Sequence, residues 1–184
     1  PVDKVGQRVN FSNKDLMLPK RINVLNQVRN SIDKDTLILA TTGLTGRELY
    51  ELDDTHNQLY MVGSMGCISS IGLGLAIAQP TKKIIAIDGD GALLMRMGTM
   101  ATLGYYKPAN LYHLLLDNQS HESTGSQFTV SGGVDFVGIA KSTAYTQINK
   151  LSNLEDLKES ITNWYNDEQL TFSYLKTSVG TSPT

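Results

Sequence analysis

Apolar and polar positions follow two rhythms along the chain. Over residues 19–31, Ile22, Leu25, Val28 and Ile32 recur at three- and four-residue spacing, the stripe of an amphipathic helix. Helical patterns return at Glu48–Asp54, over 66–79, at Ala92–Tyr105, at Asp135–Lys141 and at Leu154–Tyr165. Between them lie short apolar runs of strand length: Thr36–Ala40, Leu59–Val62, Lys83–Asp88, Asn110–Leu116, Tyr145–Ile148 and Thr171–Thr177. Asp117–Val134 is rich in Gly, Ser, Thr and Asn and reads as one long loop. Short strands alternating with helices make βαβ units. The expected fold is therefore α/β: a doubly wound, mainly parallel sheet of about six strands with helices on both faces. Such sheets bind ligands at the carboxyl ends of their strands. The Gly- and Ala-rich segment 66–79 predicts a helix that packs closely on a neighbour.

Length and charge narrow the classes. A chain of 184 residues is one domain, large enough to bury a core without staples. With 16 basic and 18 acidic side chains and no basic block, nucleic acid is not the expected partner. The single cysteine, Cys67, excludes an intrachain disulfide framework and a multi-cysteine zinc site. No apolar run approaches the ~20 residues that span a bilayer. Pro1-Val2-Asp3-Lys4 carries no signal-peptide pattern, so a cytoplasmic setting is expected.

Chemistry concentrates at strand ends. Ile84–Asp88 runs straight into Gly89-Asp90-Gly91, and a helix follows. Glycines beside an acid let the backbone approach a phosphate or a metal. The plainer reading is a tight strand-to-helix turn with Asp90 as the helix cap. A second apolar strand ends in Asp117-Asn118, 28 residues after Asp90. One strand–helix–strand unit separates the two, so both sit at carboxyl ends of parallel strands. A carboxylate and an amide oxygen so placed can share one Mg²⁺, with phosphate oxygens and water completing the shell.

Gly89-Asp90-Gly91, followed by Asn118 after a strand, resembles the cofactor fingerprint of the thiamine-diphosphate-dependent decarboxylases. The resemblance implies that Asp90, Asn118 and the carbonyl of Ser120 bind Mg²⁺, and that Gly89, Gly91 and Ala92 line the diphosphate. It also implies that Met65, 25 residues before Asp90, supports the bent cofactor, with Gly63 and Ser64 beside it and the Gly63 carbonyl facing the aminopyrimidine. Thr41-Thr-Gly-Leu-Thr-Gly-Arg-Glu-Leu-Tyr50, Met61–Gly66, Asp88–Met95 and His121-Glu-Ser-Thr-Gly125 resemble the phosphonopyruvate decarboxylases most, and the sulfopyruvate decarboxylases closely. That places Thr41, Thr42 and Gly43 on the diphosphate, and His121 and Glu122 beside the thiazolium and substrate. His121 is then a candidate proton shuttle. Ser126 stands where this family has Gly. The implied reaction is loss of CO₂ from a 2-oxo acid such as phosphonopyruvate, giving an aldehyde. These enzymes also need a pyrimidine-binding domain or subunit, for which 184 residues leave no room. The chain is expected to be one half of a homo- or hetero-oligomeric enzyme, a subunit or a fragment.

Rival readings use the same residues. Asp88-Gly-Asp90 also resembles the two-acid motif of haloacid-dehalogenase-type phosphatases, with Asp88 as nucleophile, although residue 92 is Ala rather than Thr or Val. A calcium-loop reading fails because the twelfth position is Thr99 rather than Glu. Gly72-Leu-Gly74 lacks the third glycine of a dinucleotide site and reads as close packing. A non-catalytic binding subunit would be expected to lose the metal ligands first. His56 reads as a solvated loop residue, His113 as a satisfied core histidine, Cys67 as a small buried hydrophobe and Trp164 as packing. Arg47 and Glu48 either reach substrate or pair with each other.

Overall fold

The computed structural model describes residues 18–180; the expectations for the first residues and for the last four lie outside them. Helices are α1 (Arg21–Asn30), α2 (Leu44–Leu52), α3 (Ile68–Ala78), α4 (Asp90–Met95), α5 (Thr99–Tyr106), α6 (Phe136–Ser142) and α7 (Leu154–Asp167). Strands are β1 (Leu37–Ala40), β2 (Gln58–Tyr60), β3 (Ile84–Gly89), β4 (Leu111–Asp117), β5 (Ser120–His121), β6 (Gln127–Phe128), β7 (Gln147–Leu151) and β8 (Thr171–Lys176). Six of them form one parallel sheet in the order β2-β1-β3-β4-β8-β7. The four inner strands are almost wholly buried, as their continuous apolar runs require. The edge strands β2 and β7 are short and polar, which blunts them against further pairing.

Both faces are covered, so the sheet is doubly wound as expected. On one face α3, α5 and α6 pack through Ile68, Leu73, Met100, Leu103, Phe136 and Ala140. On the other, α1, α2 and α7 pack through Val24, Leu25, Val28, Leu49, Leu157, Ile161 and Trp164. Trp164 meets the Tyr112 ring edge-on at 5.4 Å. His113 is fully buried in the core as expected, but only half satisfied: its Nδ1 lies 2.9 Å from the Tyr145 hydroxyl, while its Nε2 stands 3.6 Å from Asp88 with no hydrogen-bond partner among the described residues. His56 is exposed in its loop. Cys67 is only half-buried, because it stands in the turn just ahead of α3.

Four expectations need correction. The helix foreseen over Ala92–Tyr105 is two helices, broken at Arg96–Gly98. α4 lies over the carboxyl ends of β3 and β4 while α5 packs between α3 and α6, and one straight helix cannot do both. α2 begins at Leu44 rather than Glu48, launched by Gly43 at φ +96°; Leu-Thr-Gly-Arg carries little helical signal of its own. The last edge strand runs over Gln147–Leu151, because Ala144 turns the chain with a left-handed φ of 63°. The stretch Asp117–Val134 is not featureless: β5 and β6 pair as a small antiparallel hairpin, followed by a 3₁₀ turn at Ser131–Gly133. Ser126, where a glycine was expected, sits at φ 59° in that hairpin's turn, a conformation glycine adopts without strain.

The predicted close packing of α3 holds at Gly72, where a Cβ would lie 3.2 Å from Leu111 and 3.3 Å from Ala86. It fails at Gly74, where a Cβ would meet nothing within 4 Å. Gly104 is tighter than either: a Cβ there would lie 1.5 Å from the Thr143 carbonyl oxygen. Gly104→Ala is therefore expected to separate α5 from α6 at a cost of about 3 kcal/mol or more, whereas Gly74→Ala gains roughly 0.5–1 kcal/mol. Thermal denaturation of the two variants checks this; equal unfolding temperatures would contradict the packing described.

Candidate functional site

The strand registers bring the site together. Ala40 pairs with Ile87, and Gly89 with Leu116. Thr41, Asp90 and Asn118 therefore leave the carboxyl ends of β1, β3 and β4 side by side. This is where the chain order reverses: β1 leads to β2 on one side, and β3 stands on the other. The cavity there is lined by Thr41, Thr42, Met65, Gly89, Asp90, Gly91, Ala92, Asn118, Ser120, His121 and Glu122 among the expected residues. Arg21, Leu44, Thr45, Leu116, Ser123 and Thr177 complete it. Gly43 faces a neighbouring groove with Arg47 and Tyr60. Gly63 and Ser64 are exposed, with positive φ, and do not line the cavity.

Close approach shapes the floor. Gly66, at φ +85°, is pressed so near the Ala92 carbonyl that a Cβ would lie 2.6 Å from its oxygen. This turn carries Met65 to Gly91, where a Cβ would lie 3.3 Å from the methionine methyl. The same Cβ would lie 2.6 Å from the His121 ring, so the half-buried imidazole rests directly on Gly91. The hydroxyls of Thr41 and Ser120 are buried without hydrogen-bond partners among the described residues. Buried hydroxyls left unpaired are costly, and both residues line this cavity.

Asp90 is the first residue of α4, with Gly89 in the capping position and no side-chain cap bond; the capping role is not what its carboxylate does. Instead it accepts a hydrogen bond from Thr129. Burial pushes its pKa up to about 6, helped by the nearby Asp117 charge and opposed by the Thr129 bond. Asp117 is buried behind it, accepting from Ser131 at 2.8 Å and from the Tyr174 hydroxyl at 2.7 Å. Burial and that carboxylate push the Tyr174 phenol up, so it stays a donor. Asn118 is held at both ends: its Oδ1 accepts from the Ser120 N–H at 3.0 Å and its Nδ2 donates to Glu122 at 2.7 Å. Glu122 also accepts from Arg21 Nη1 at 2.7 Å, and Arg21 makes two further bonds to Glu48 at 3.0 and 2.8 Å. Burial pulls the Arg21 pKa down, but Glu48 and then Glu122 more than offset it and keep the guanidinium charged. Glu48 thus pairs with Arg21, not with Arg47, which is exposed.

Sequence reading missed Arg21 and Tyr174, which lie far along the chain from the fingerprint, and Thr129 and Ser131, which follow it in the hairpin segment with no spacing rule to mark them.

The rival nucleophile is placed elsewhere. Asp88 is fully buried and does not line the cavity; its Oδ1 accepts from Gly89 N–H and its Oδ2 faces His113 at 3.6 Å. A nucleophile must reach its substrate, so the phosphatase reading is lost. Among the described residues no three His, Cys, Asp or Glu side chains form a metal cluster. A hard cation sharing phosphate oxygens needs only one or two protein side chains. One carboxylate, one oriented amide oxygen, unpaired hydroxyls and a glycine-lined floor fit a diphosphate bridged to such a cation. No helix of the described residues is long and apolar enough to cross a membrane.

Comparison with known proteins gives the family and the fold. Residues 42–172 match the family described as thiamine pyrophosphate enzyme, C-terminal TPP binding domain. Phosphonopyruvate decarboxylase of Streptomyces viridochromogenes is 39% identical over 163 residues, covering 88% of this chain and 41% of that protein. Sulfopyruvate decarboxylase subunit beta of Methanocaldococcus jannaschii is 37% identical over 162 residues, covering 88% of this chain and 85% of that subunit. The chain spans less than half the length of the phosphonopyruvate decarboxylases it matches. A thiamine diphosphate-dependent 4-hydroxybenzoylformate decarboxylase from Rhodococcus jostii RHA1 superposes with a TM-score of 0.74 over 96% of this chain and 35% of that one, at 14% identity, a likeness of fold. The chain belongs to the family of C-terminal TPP-binding domains of thiamine pyrophosphate enzymes.

Proposed function

We propose that this chain is the diphosphate- and Mg²⁺-holding half of a 2-oxo acid decarboxylase acting on phosphonopyruvate. The observation that carries the reading is the meeting of Asp90 and Asn118 at adjacent strand ends, beside the unpaired hydroxyls of Thr41 and Ser120. Identities of 39% and 40% to phosphonopyruvate decarboxylases support the substrate. Sulfopyruvate is the second reading, favoured by the near-complete coverage of a sulfopyruvate decarboxylase beta subunit.

Asp90, the Asn118 Oδ1 and the Ser120 carbonyl would hold the cation. Thr41, Thr42 and Gly43, with Gly89, Gly91 and Ala92, would take the diphosphate, and Met65 would support the cofactor with Gly63 and Ser64 at the rim. Thiamine diphosphate, when bound, supplies an electron sink for the electrons left as CO₂ departs. The protein's share is to orient that group, keep water out and move a proton. Of the two candidate residues beside the substrate, His121 is suited to the proton, since its imidazole rests on Gly91 in the cavity wall and makes no hydrogen bond among the described residues, and an imidazole can both give and take a proton. The carboxylate of Glu122 is engaged by Arg21 and Asn118. A pyrimidine-binding domain or subunit completes the site, as the word subunit in the name of the beta-type relatives suggests. The unpaired Cys67 accords with a reducing, cytoplasmic setting.

The test combines this chain with a pyrimidine-binding half, thiamine diphosphate and Mg²⁺, and offers phosphonopyruvate, sulfopyruvate and pyruvate in parallel. CO₂ release fastest from phosphonopyruvate is expected, with little turnover by the chain alone. Preference for another 2-oxo acid overturns the substrate, and robust turnover by the lone chain overturns the two-part site.

Asp90 gives a second prediction. Between its unfolded pKa, 3.8, and about 6, the folded metal-free chain keeps a proton that the unfolded chain has released. Asp90 therefore contributes stability at low pH that is lost as pH rises through this window. Asp90→Asn removes that loss and should stabilise the metal-free chain at neutral pH by on the order of 2 kcal/mol, while abolishing Mg²⁺-dependent cofactor binding. Urea denaturation of both proteins at pH 4.5 and 7.5 measures it. A stability difference that does not grow with pH contradicts the assignment.

A further inference from the structure

The amide of Asn118 presents two chemically opposite ends, and only its oxygen suits a cation. We infer that Arg21 and Glu122 are positioning residues whose joint task is to fix which end faces the cavity. This rests on the proposed role of Asn118 in holding Mg²⁺.

An ionised carboxylate accepts hydrogen bonds and cannot donate them. With Glu122 Oε2 2.7 Å from Asn118, the NH₂ end must face Glu122. The oxygen end is thereby turned to the Ser120 N–H, which takes one of its lone pairs and leaves the other. Glu122 has no freedom to turn away. Its Oε2 also takes Arg21 Nη1 at 2.7 Å, and its Oε1 takes the Gly180 N–H at 2.5 Å. Arg21 in turn is gripped by Glu48 through Nε and Nη2, a bidentate pairing that a lysine cannot reproduce. All three charged side chains are 7% exposed or less, so water does not compete for these bonds. Three elements distant in sequence, α1, α2 and the loop after β4, thus converge on the orientation of one amide.

The exchange of donor and acceptor supplies the test. In Glu122→Gln the side chain offers both a carbonyl and an NH₂, and Asn118 loses its preferred face. In Asn118→Asp both oxygens accept, so no face needs choosing, and Glu122→Gln added to it has no orientation left to disturb. The readout is the Mg²⁺ dissociation constant by calorimetry at saturating thiamine diphosphate, on the assembled enzyme, beside the unfolding temperature of each metal-free protein. Glu122→Gln alone is expected to bind Mg²⁺ about 10–100-fold more weakly, and to change Mg²⁺ binding far less when added to Asn118→Asp. A merely structural role would weaken binding equally in both backgrounds. Arg21→Lys, which keeps the charge and loses the fork, is expected to weaken Mg²⁺ binding several-fold and serves if Glu122→Gln does not fold. Wild-type Mg²⁺ affinity in folded Glu122→Gln or Arg21→Lys, or an equal effect of Glu122→Gln in both backgrounds, overturns the inference. Absence of Mg²⁺-dependent cofactor binding in the wild type would instead overturn the proposed function.

Discussion

The parallel pairing of β3 with β4, Gly89 opposite Leu116, is the constraint on which the site depends. Both strands are buried on both faces, so polar chemistry has no place along their interiors and collects where they end. The register makes them end at the same level. Asp90 and Asn118 then face one cavity without any long-range interaction being needed to draw them together. The interior exceptions, Asp88 and His113, have their polar atoms turned to each other and to Tyr145. One residue's shift in pairing would turn every side chain of the strand to the other face.

What the sequence revealed, and what it hid, follows from range. Strand and helix identities were legible because the 2.0 and 3.6 periods are local and the inner strands are uninterrupted apolar runs. The fingerprint was legible because Gly89, Asp90 and Asn118 stand at strand ends. The division of α4 from α5 was hidden, since it comes from packing against different neighbours rather than from Arg96-Met97-Gly98 itself. The two-residue strands of the β5–β6 hairpin are too short to show any period. Arg21 was hidden for another reason: its partners, Glu48 and Glu122, are 27 and 101 residues away, and nothing in the local sequence of α1 points to either.

The electrostatic character of the site comes from an imbalance. Glu48, Asp90, Asp117 and Glu122 are buried carboxylates around one end of the sheet, and Arg21 answers two of them. Asp117 is held by neutral donors from Ser131 and Tyr174, which bond its charge without cancelling it. Burial first, and then the Asp117 charge, push the Asp90 carboxyl up to about 6. On the proposed reading, a cation would bring to this end of the sheet the positive charge that Arg21 alone does not supply.

The same wiring sets the size of the unit that must fold as one. The family match begins at residue 42 and ends at 172, inside β8 and after both α1 and β1. A polypeptide trimmed to that matched segment would lose β1, leaving the edge of β3 unpaired in the middle of the sheet, and would lose Arg21, leaving Glu48 and Glu122 as two interior anions with no counter-charge. The limits of the matched family and the limits of physical autonomy thus differ in this domain, and the second are the wider.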